Sequence, residues 1–268
     1  MMSIEAALRD QKLTQLYQRC CQIVPNIWDQ YSDGVPEEHR LHWELKTRAM
    51  HAWQTQCMLR ALDVFGKKRK AERPVNVVDI GDSAGNHFLY LRACAEVKLG
   101  RTLSVNLDRA AIEKIKRKGG DAILCRAEEL DLGADKVDLF MAFEMVEHLT
   151  DPVRFLHNLA VKGTADYLLM SVPYRRVSQV GFHEFKDGRI PGIMTAEAVH
   201  IFELCPREWL LLAQFAGWKP VFTDTFLQYP RYSPLRITKP LWQRLDFEGF
   251  FGVLLERDLT VANQYRDW

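Results

Sequence analysis

Short apolar runs alternate with helical segments from Val75 towards the C-terminus, and this alternation constrains the fold more than any other feature. Such a pattern is typical of a parallel sheet covered by helices on both faces. The run from Val137 to Phe143 is apolar apart from one aspartate, as expected of a fully buried strand. The sequence therefore predicts an α/β fold with a doubly wound, mostly parallel, seven-stranded sheet. The predicted strands are residues 75–80, 102–107, 122–125, 137–143, 167–172, 219–226 and one within 247–255, and the predicted helices between them are 86–98, 109–118, 152–162 and 206–216.

The charge balance argues against a nucleic-acid substrate. The chain has 36 Lys and Arg against 35 Asp and Glu, so it lacks the basic excess with which proteins grip a phosphate backbone. None of its six cysteines forms a C-x-x-C pair, which favours reduced thiols. The N-terminus lacks a signal-peptide pattern, and no apolar run approaches the ~20 residues of a membrane helix. We therefore expect a cytoplasmic protein with no nucleic-acid partner and no transmembrane segment.

The segment Asp79-Ile-Gly-Asp-Ser-Ala-Gly85 ends the first predicted strand, directly before a helix that opens at Asn86. Small residues let the backbone approach a ligand closely, and the helix start presents free N–H groups. Ligands of parallel sheets bind outside the carboxyl ends of the strands. Taken alone, the segment predicts a ligand near this strand end, and a tight turn without a ligand is the alternative. The glycine spacing differs from the G-x-G-x-x-G of dinucleotide folds.

Further motifs follow this loop in order: Ser104-Val-Asn-Leu-Asp108, Cys125-Arg-Ala-Glu-Glu-Leu130, the run from Val137 to Leu149 that contains Glu-Met-Val-Glu-His-Leu, and Ser171-Val-Pro173. Together they resemble class I S-adenosylmethionine-dependent methyltransferases, with the core of the type 11 and ubiquinone-methyltransferase group, over about residues 75–226. The resemblance implies a Rossmann-like sheet, S-adenosylmethionine as the cofactor and methyl transfer as the reaction.

The resemblance also implies which residues bind the cofactor, and three of the matched positions depart from the family pattern. Ser83 stands for the central glycine and fits if its φ stays negative. Asn106 stands for the ribose-binding acid, whose place Asp108 could take if the strand ends late. Arg126 replaces an acid near adenine, which leaves the backbone around Ala127 for that contact. The predicted cofactor-binding residues are Asp79, Gly81, Asp82, Ser83, Gly85, Asn106, Leu107, Asp108, Ala127, Glu128, Phe143 and Glu144.

A hydroxyl acceptor would need a base to remove its proton. An insert at about residues 174–205 is longer than the family core needs, and its His183, beside Glu184, is the first candidate base; an exposed loop histidine is the alternative. His148, after the fourth strand, is the second candidate, with a capping or packing role as its alternative. No H-E-x-x-H motif or Cys/His cluster is present, so no metal is predicted.

The acceptor is suggested only by a looser resemblance. Residues 171–174, 180–183, 195–204, 228–230 and 237–242 are similar to methyltransferases of bacterial surface-polysaccharide biosynthesis. This implies a glycan or other small-molecule acceptor and O-methylation of a sugar hydroxyl in polysaccharide or O-antigen synthesis. A methyltransferase of a quinone or secondary metabolite and a catalytically inactive binding protein stay open as alternatives. An NAD-dependent oxidoreductase is disfavoured by the glycine spacing and the Glu-His-Leu run.

The first 70 residues carry helical spacing over residues 3–23 and from Pro36 to about Phe65, but no chemical motif. We therefore predict an N-terminal helical extension over residues 1–70 and a methyltransferase domain over residues 71–268. The extension is expected either to pack over the cofactor side of the sheet or to make a homodimer contact.

Overall fold

The computed structural model describes residues 2–30, 37–68, 73–133, 135–163, 165–181, 199–229 and 248–265. The strands are β1 (Val75–Ile80), β2 (Leu99–Asn106), β3 (Asp121–Leu124), β4 (Leu139–Phe143), β5 (Tyr167–Pro173), β6 (Gln179–Val180), β7 (Phe202–Glu203), β8 (Trp218–Leu227) and β9 (Gly249–Arg257). The α-helices are α1 (Met2–Asp10), α2 (Thr14–Ile23), α3 (Glu37–Lys68), α4 (Asn86–Cys94), α5 (Arg109–Arg117), α6 (Pro152–Val161) and α7 (Pro206–Ala216).

Seven of the strands form one sheet in the order β3-β2-β1-β4-β5-β9-β8. Neighbouring strands from β3 to β5 are parallel, whereas β9 runs antiparallel to both β5 and β8. The chain order reverses direction at β1, where β2 lies on one side and β4 on the other. Ligands of open α/β sheets bind at such a switch point. The predicted fold, a doubly wound and mostly parallel Rossmann-like sheet, is confirmed.

Successive strand residues point to opposite sides of the sheet, so both faces carry apolar side chains. Helices cover both faces. Val77 and Met141 belong to one buried cluster, together with residues of α1 to α4 such as Trp53. Val78 and Phe140 belong to a second buried cluster, together with residues of α6 and α7. Helices α1 to α4 therefore supply one of the two layers that cover the sheet. The predicted boundary at residue 70 stays a prediction.

Helix α3 is 32 residues long and contacts strands β5, β9 and β8. Its Trp53 is buried and stacks on both Phe226 and Phe250, with ring centroids 6.4 and 6.3 Å away. A Cβ atom on Gly252 of β9 would come within 2.9 Å of the Trp53 ring. Glycine at this position therefore lets the indole lie directly on the strand.

The N-terminal segment predicted as one helix over residues 3–23 is two helices. Lys12 adopts a left-handed backbone with φ of 59°. The Leu13 N–H bonds the Leu8 carbonyl at 2.8 Å, which satisfies a terminal carbonyl of α1 and ends the helix. The break is local, since both halves still turn apolar residues towards the same buried cluster.

Several other predicted elements differ from the structure at their ends. Helix α4 ends at Cys94 rather than at residue 98, because Ala95 has an extended backbone. Strand β2 covers Leu99–Asn106 rather than residues 102–107, and β4 begins at Leu139. Among the described residues, none of the helices has both the length and the hydropathy needed to cross a membrane.

Candidate active site

The loop between β1 and α4 is shaped by two glycines with left-handed backbone. Gly81 has φ of 90° and donates its N–H to the Val105 carbonyl at 2.7 Å. A Cβ atom at Gly81 would lie 3.0 Å from the Met145 Cβ, so this part of the loop packs against the segment that follows β4. Gly85, with φ of 73°, precedes the first residue of α4. The loop after β1 and the segment after β4 thus meet at one edge of the sheet.

Asp82 holds the loop in its conformation. Its Oδ1 accepts hydrogen bonds from the N–H groups of Ala84 at 3.1 Å and Gly85 at 2.7 Å, and its Oδ2 accepts one from Ser104 Oγ at 2.7 Å. Both carboxylate oxygens of this buried residue are thereby used, one within the loop and one on β2. Ser83, which stands for the family's central glycine, has a negative φ and fits that position without backbone strain.

Asn106 ends β2 and is tied to the same loop. Its Nδ2 donates to the Asp82 carbonyl at 3.0 Å, and its Oδ1 accepts the Asp108 N–H at 2.8 Å. Asp108 lies beyond the strand, where its carboxylate caps α5 by accepting the N–H groups of Ala110 and Ala111 at 2.9 and 3.2 Å. The condition under which Asp108 would replace the ribose-binding acid, a strand that ends late, is not met.

The adjacent edge of the predicted cofactor site combines apolar and charged side chains. Leu107, directly after β2, is 45% exposed. A short 3-10 helix spans Ala127–Glu129, and Arg126 before it forms an ion pair with Glu128 at 3.3 Å. The Cys125 N–H donates to the Asn106 carbonyl at 3.0 Å and holds this segment beside the end of β2. An exposed apolar residue next to backbone groups fits the requirements of an adenine ring.

A chain of hydrogen bonds runs beneath the loop from β1 to the end of β4. Asp79 Oδ2 lies 2.7 Å from His87 Nδ1, and His87 Nε2 lies 3.2 Å from Gln54 Oε1. Gln54 Nε2 donates to Ser171 Oγ at 3.2 Å, and Ser171 Oγ donates to Glu144 Oε1 at 2.7 Å. Two predicted cofactor residues, Asp79 in β1 and Glu144 after β4, are therefore joined through helices α3 and α4 and strand β5.

Burial shifts the pKa of both carboxyl groups at the ends of this hydrogen-bond chain, Asp79 and Glu144. Burial raises the pKa of Asp79 to about 6, although the His87 ring opposes the shift. Burial lowers the pKa of His87, but the Asp79 carboxylate more than offsets this, so the pKa of His87 is raised. Burial also raises the pKa of Glu144 to about 8, against the hydrogen bond from Ser171. Glu144 has φ of 50°, and such backbone strain in a residue other than glycine concentrates at functional sites.

A second polar group, the Glu147–His148–His200 cluster, follows β4. Potential metal-ligand atoms of its three residues lie within 4.8 Å of one another. His148 Nδ1 is 2.9 Å from the Val199 carbonyl, and the His148 and His200 rings meet edge to face at 4.6 Å. Glu147 is fully buried, and burial together with the nearby Glu144 carboxylate raises the pKa of Glu147 well above its ordinary value.

The surroundings of the cluster come from the predicted insert at residues 174–205. Strands β6 and β7 pair as a small antiparallel ladder, with His200 just before β7. His200 Nδ1 lies 3.3 Å from Glu203 Oε1, and the other Glu203 oxygen forms an ion pair with Arg175 at 2.7 Å. The insert therefore brings part of its chain onto the segment after β4. His183 and Glu184, the first predicted base and its neighbour, lie outside the described residues.

The sequence prediction did not include the residues of α3 that reach the site. His51 and Gln54 are each about 1% exposed, and His51 Nδ1 lies 3.1 Å from the Tyr90 hydroxyl. A signal was present, because His51, Gln54 and Thr55 are polar residues within one otherwise buried stretch of helix. Buried polar side chains need partners, and the partners here lie on α4 and β5.

Comparison with known families adds an independent observation. Residues 78–161 match a family model described as a methyltransferase domain. The match runs from the middle of β1 to the end of α6, and it includes both the loop after β1 and the Glu144-to-His148 run. The chain contains a methyltransferase domain. A comparison with curated proteins finds no match.

Solved structures with the same fold align with most of this chain. Magnesium protoporphyrin IX methyltransferase from Synechocystis PCC 6803 with bound SAH is 12% identical, with a TM-score of 0.55 over 94% of this chain and 98% of that one. The 1,6-didemethyltoxoflavin-N1-methyltransferase of Burkholderia thailandensis is 15% identical, with a TM-score of 0.51 over 85% and 93%. A candidate methyltransferase of Haloferax volcanii, solved with the Trm112 methyltransferase activator, is 16% identical, with a TM-score of 0.53 over 77% and 95%. At these identities the likeness shows the fold.

The family match and the sequence motifs agree on the enzyme class. The predicted class, an S-adenosylmethionine-dependent methyltransferase, and the predicted cofactor are confirmed. The acceptor, the individual site residues and the oligomeric state stay predictions.

Proposed function

We propose that this methyltransferase transfers the methyl group to a hydroxyl oxygen of a small-molecule or glycan acceptor. The observation that carries the proposal is the Glu144 carboxylate, which follows β4 on the segment that packs against the cofactor loop and accepts the Ser171 hydrogen bond at 2.7 Å. A hydroxyl oxygen becomes a good nucleophile only as its proton leaves, and a carboxylate at this edge is a base of the right kind.

The cofactor would be held mainly by backbone at the carboxyl ends of β1 and β2. Gly81 and Ser83 would allow close approach of the chain, and Leu107 and Ala127 would cover the adenine. Asn106 keeps a second amide hydrogen for a ribose hydroxyl, since one donates to Asp82. S-adenosylmethionine, when bound, supplies a methyl group on a positively charged sulfur.

In the proposed reaction the acceptor oxygen forms a bond to the methyl carbon while the carbon–sulfur bond breaks. The hydroxyl proton passes to the Glu144 carboxylate, whose orientation is fixed by Ser171 and, through it, by Gln54. Most of the catalysis in such a displacement comes from holding the acceptor in line with the methyl group. The chain's own contribution is therefore position, exclusion of water and one proton acceptor.

We further propose a sugar hydroxyl as the acceptor, in polysaccharide or O-antigen biosynthesis. The support is the similarity of residues 171–174, 180–183, 195–204, 228–230 and 237–242 to methyltransferases of bacterial surface polysaccharides. A quinone or secondary-metabolite acceptor is the alternative, because methyltransferases for several kinds of small molecule share this fold. An inactive binding protein is a second alternative, since Asp82 and Asp108 use their carboxylates within the structure.

The experiment is a methyl-transfer assay with the full chain and labelled S-adenosylmethionine against glycans, nucleotide sugars and quinones. We expect labelled product from a sugar acceptor, with the methyl group located on oxygen by mass spectrometry and NMR. Label on a quinone alone would overturn the sugar acceptor. Cofactor binding by calorimetry without turnover on any acceptor would favour the inactive binding protein.

The proposed base is tested by Glu144→Gln. We expect kcat to fall about 10²- to 10⁴-fold with the cofactor dissociation constant little changed, because only the proton acceptor is removed. Glu113→Gln, the same change on the exposed face of α5, is the matched control and should keep full turnover. If His183→Ala abolishes turnover while Glu144→Gln preserves it, the first predicted histidine is the base instead.

A further inference from the structure

The Glu147–His148–His200 cluster has the composition of a metal site. Two imidazoles and one carboxylate converge after β4, with ligand atoms within 4.8 Å of one another. Ligand atoms that bind one ion at about 2.0–2.1 Å lie up to about 4.2 Å apart, so closing the cluster on an ion needs side-chain movements of about an ångström. Rotations of this size are ordinary for side chains held in staggered rotamers.

Both histidines are oriented to present a ring lone pair. A backbone carbonyl can only accept, so the 2.9 Å contact between His148 Nδ1 and the Val199 oxygen places a proton on Nδ1 and a lone pair on Nε2. Glu203 places a proton on His200 Nδ1 in the same way, at 3.3 Å. Metal-binding histidines usually donate their other N–H to a carbonyl or a carboxylate, and the cluster contains one example of each.

Glu147 supplies the strongest argument for a bound cation. Its side chain is 0% exposed, and neither carboxylate oxygen accepts a hydrogen bond from another described residue. His148 Nε2 lies 4.0 Å from Glu147 Oε1. A buried carboxylate without donors carries a large desolvation cost, which a coordinated cation offsets. The Glu147 oxygens and the lone pair of His148 Nε2 therefore lie close enough together to bind the same ion.

We propose that Glu147, His148 and His200 bind a divalent transition-metal ion, with Zn²⁺ as the natural choice. Nitrogen ligands favour zinc and its first-row neighbours over Mg²⁺ and Ca²⁺, which prefer oxygen. Three protein ligands leave at least one coordination position open, as in catalytic rather than structural zinc sites. Beyond these three residues, Arg175 forms an ion pair with Glu203, and Glu203 in turn orients the His200 ring.

The position of the cluster connects the ion to the methyl-transfer site. Glu147 follows Glu144 by three residues, and Met145 between them packs against Gly81 of the cofactor loop. The open position would bind the acceptor oxygen and lower the pKa of its hydroxyl, so that the proton leaves more readily. This second step rests on the proposed function, whereas metal binding itself does not.

Metal binding is tested with the full chain stripped of metal by EDTA and titrated with Co²⁺, whose visible absorption reports its coordination. We expect one equivalent of Co²⁺ to bind with a four- or five-coordinate spectrum and to be displaced by Zn²⁺ but not by a similar concentration of Mg²⁺. His148→Ala and His200→Ala should each weaken Co²⁺ binding at least about 100-fold, more than loss of an outer-shell partner does.

The matched control is His157→Ala on α6, another partly buried histidine whose Nδ1 faces a backbone carbonyl, that of Ala216 at 3.3 Å. It should bind Co²⁺ as the unmodified chain does. Cofactor affinity and the thermal unfolding midpoint are measured for every variant, so that loss of metal is separated from loss of fold. For any ligand variant that unfolds, Glu203→Gln is used, with an expected 10- to 100-fold loss of Co²⁺ affinity.

Two results would overturn the metal site. One is a folded chain that binds no Co²⁺, and the other is Co²⁺ affinity unchanged in the folded double variant His148→Ala/His200→Ala. Stoichiometric Co²⁺ binding through these residues without methyl transfer to any hydroxyl would support the site and overturn the proposed function alone. Methyl transfer that vanishes with EDTA and returns with Zn²⁺ would support both.

Discussion

Gly81, directly after β1, and Glu144, directly after β4, both have left-handed backbone. At Gly81 the conformation is inexpensive because glycine lacks a Cβ atom. At Glu144 the same region of backbone costs about 1–2 kcal/mol, which the surrounding packing must offset. The backbone strain occurs at the residue whose side chain we propose as the proton acceptor. At that residue the position of the carboxylate matters more than stability.

Gly81→Ala tests how closely the cofactor loop packs on the segment after β4. The new Cβ would meet the Met145 Cβ at 3.0 Å in addition to the strain of a left-handed alanine. We expect a loss of about 2–4 kcal/mol in the free energy of unfolding, measured with urea, together with weaker S-adenosylmethionine binding by calorimetry.

Gly119→Ala is the control for backbone strain alone, since Gly119 has φ of 76° and nothing within 4 Å of the added Cβ. It should lose about 1–2 kcal/mol and leave cofactor affinity unchanged. Equal losses in stability and equal cofactor affinities in the two variants would contradict the close contact between the two segments.

At the scale of elements, two polar residues near the end of β2 have different roles because the strand ends between them. Asn106 is the last residue of the strand and bonds the cofactor loop, whereas Asp108 caps α5. Asp108→Ala should therefore cost about 1 kcal/mol of stability with little change in cofactor affinity. Asn106→Ala should weaken cofactor binding, because it loosens the loop and removes an amide next to the proposed ribose position.

Asp151→Ala is the reference for a pure helix cap, since Asp151 accepts the Arg154 N–H at 3.0 Å at the start of α6. Denaturant melts and calorimetry on the three variants give both quantities. A large loss of cofactor affinity in Asp108→Ala, but not in Asp151→Ala, would show that Asp108 binds the ribose after all.

The elements that could be predicted from the sequence are those with local signals. The strand-to-turn-to-helix segment around Gly81 and the apolar run of β4 were identified from neighbouring residues. The break at Lys12 was not, because apolar spacing continues across it. The network from Asp79 to Glu144 was also missed, since Gln54 meets residues 33 and 117 positions away only after α3 packs on the sheet. The Glu147–His148–His200 cluster has the same origin, as His148 and His200 lack a local motif.

For the whole molecule, the question is whether the N-terminal helices are an accessory or part of the core. Trp53 of α3 lies against β8 and β9, so its truncation would leave a cavity in the layer that covers the sheet. We expect Trp53→Ala to lower the free energy of unfolding by about 3–5 kcal/mol in a single transition. Tryptophan fluorescence and circular dichroism should report the same midpoint.

Trp43→Ala, a change on the same helix at a residue that is 40% exposed, should cost less than about 1 kcal/mol. Two separated transitions in Trp53→Ala, with only the earlier one shifted, would support an N-terminal extension that folds by itself over residues 1–70.

The outer edge of the sheet is finished by a side chain from far away in the sequence. Gln11, in the turn between α1 and α2, donates to the Leu227 carbonyl at 2.7 Å and accepts the Leu227 N–H at 3.0 Å, as a neighbouring strand would. Strand β8 is the edge strand, and its ladder is already interrupted near Pro220. Exposed edges are where sheets of separate molecules join and aggregate. At Leu227 that route is closed, because one glutamine occupies the bonds that a second molecule would use.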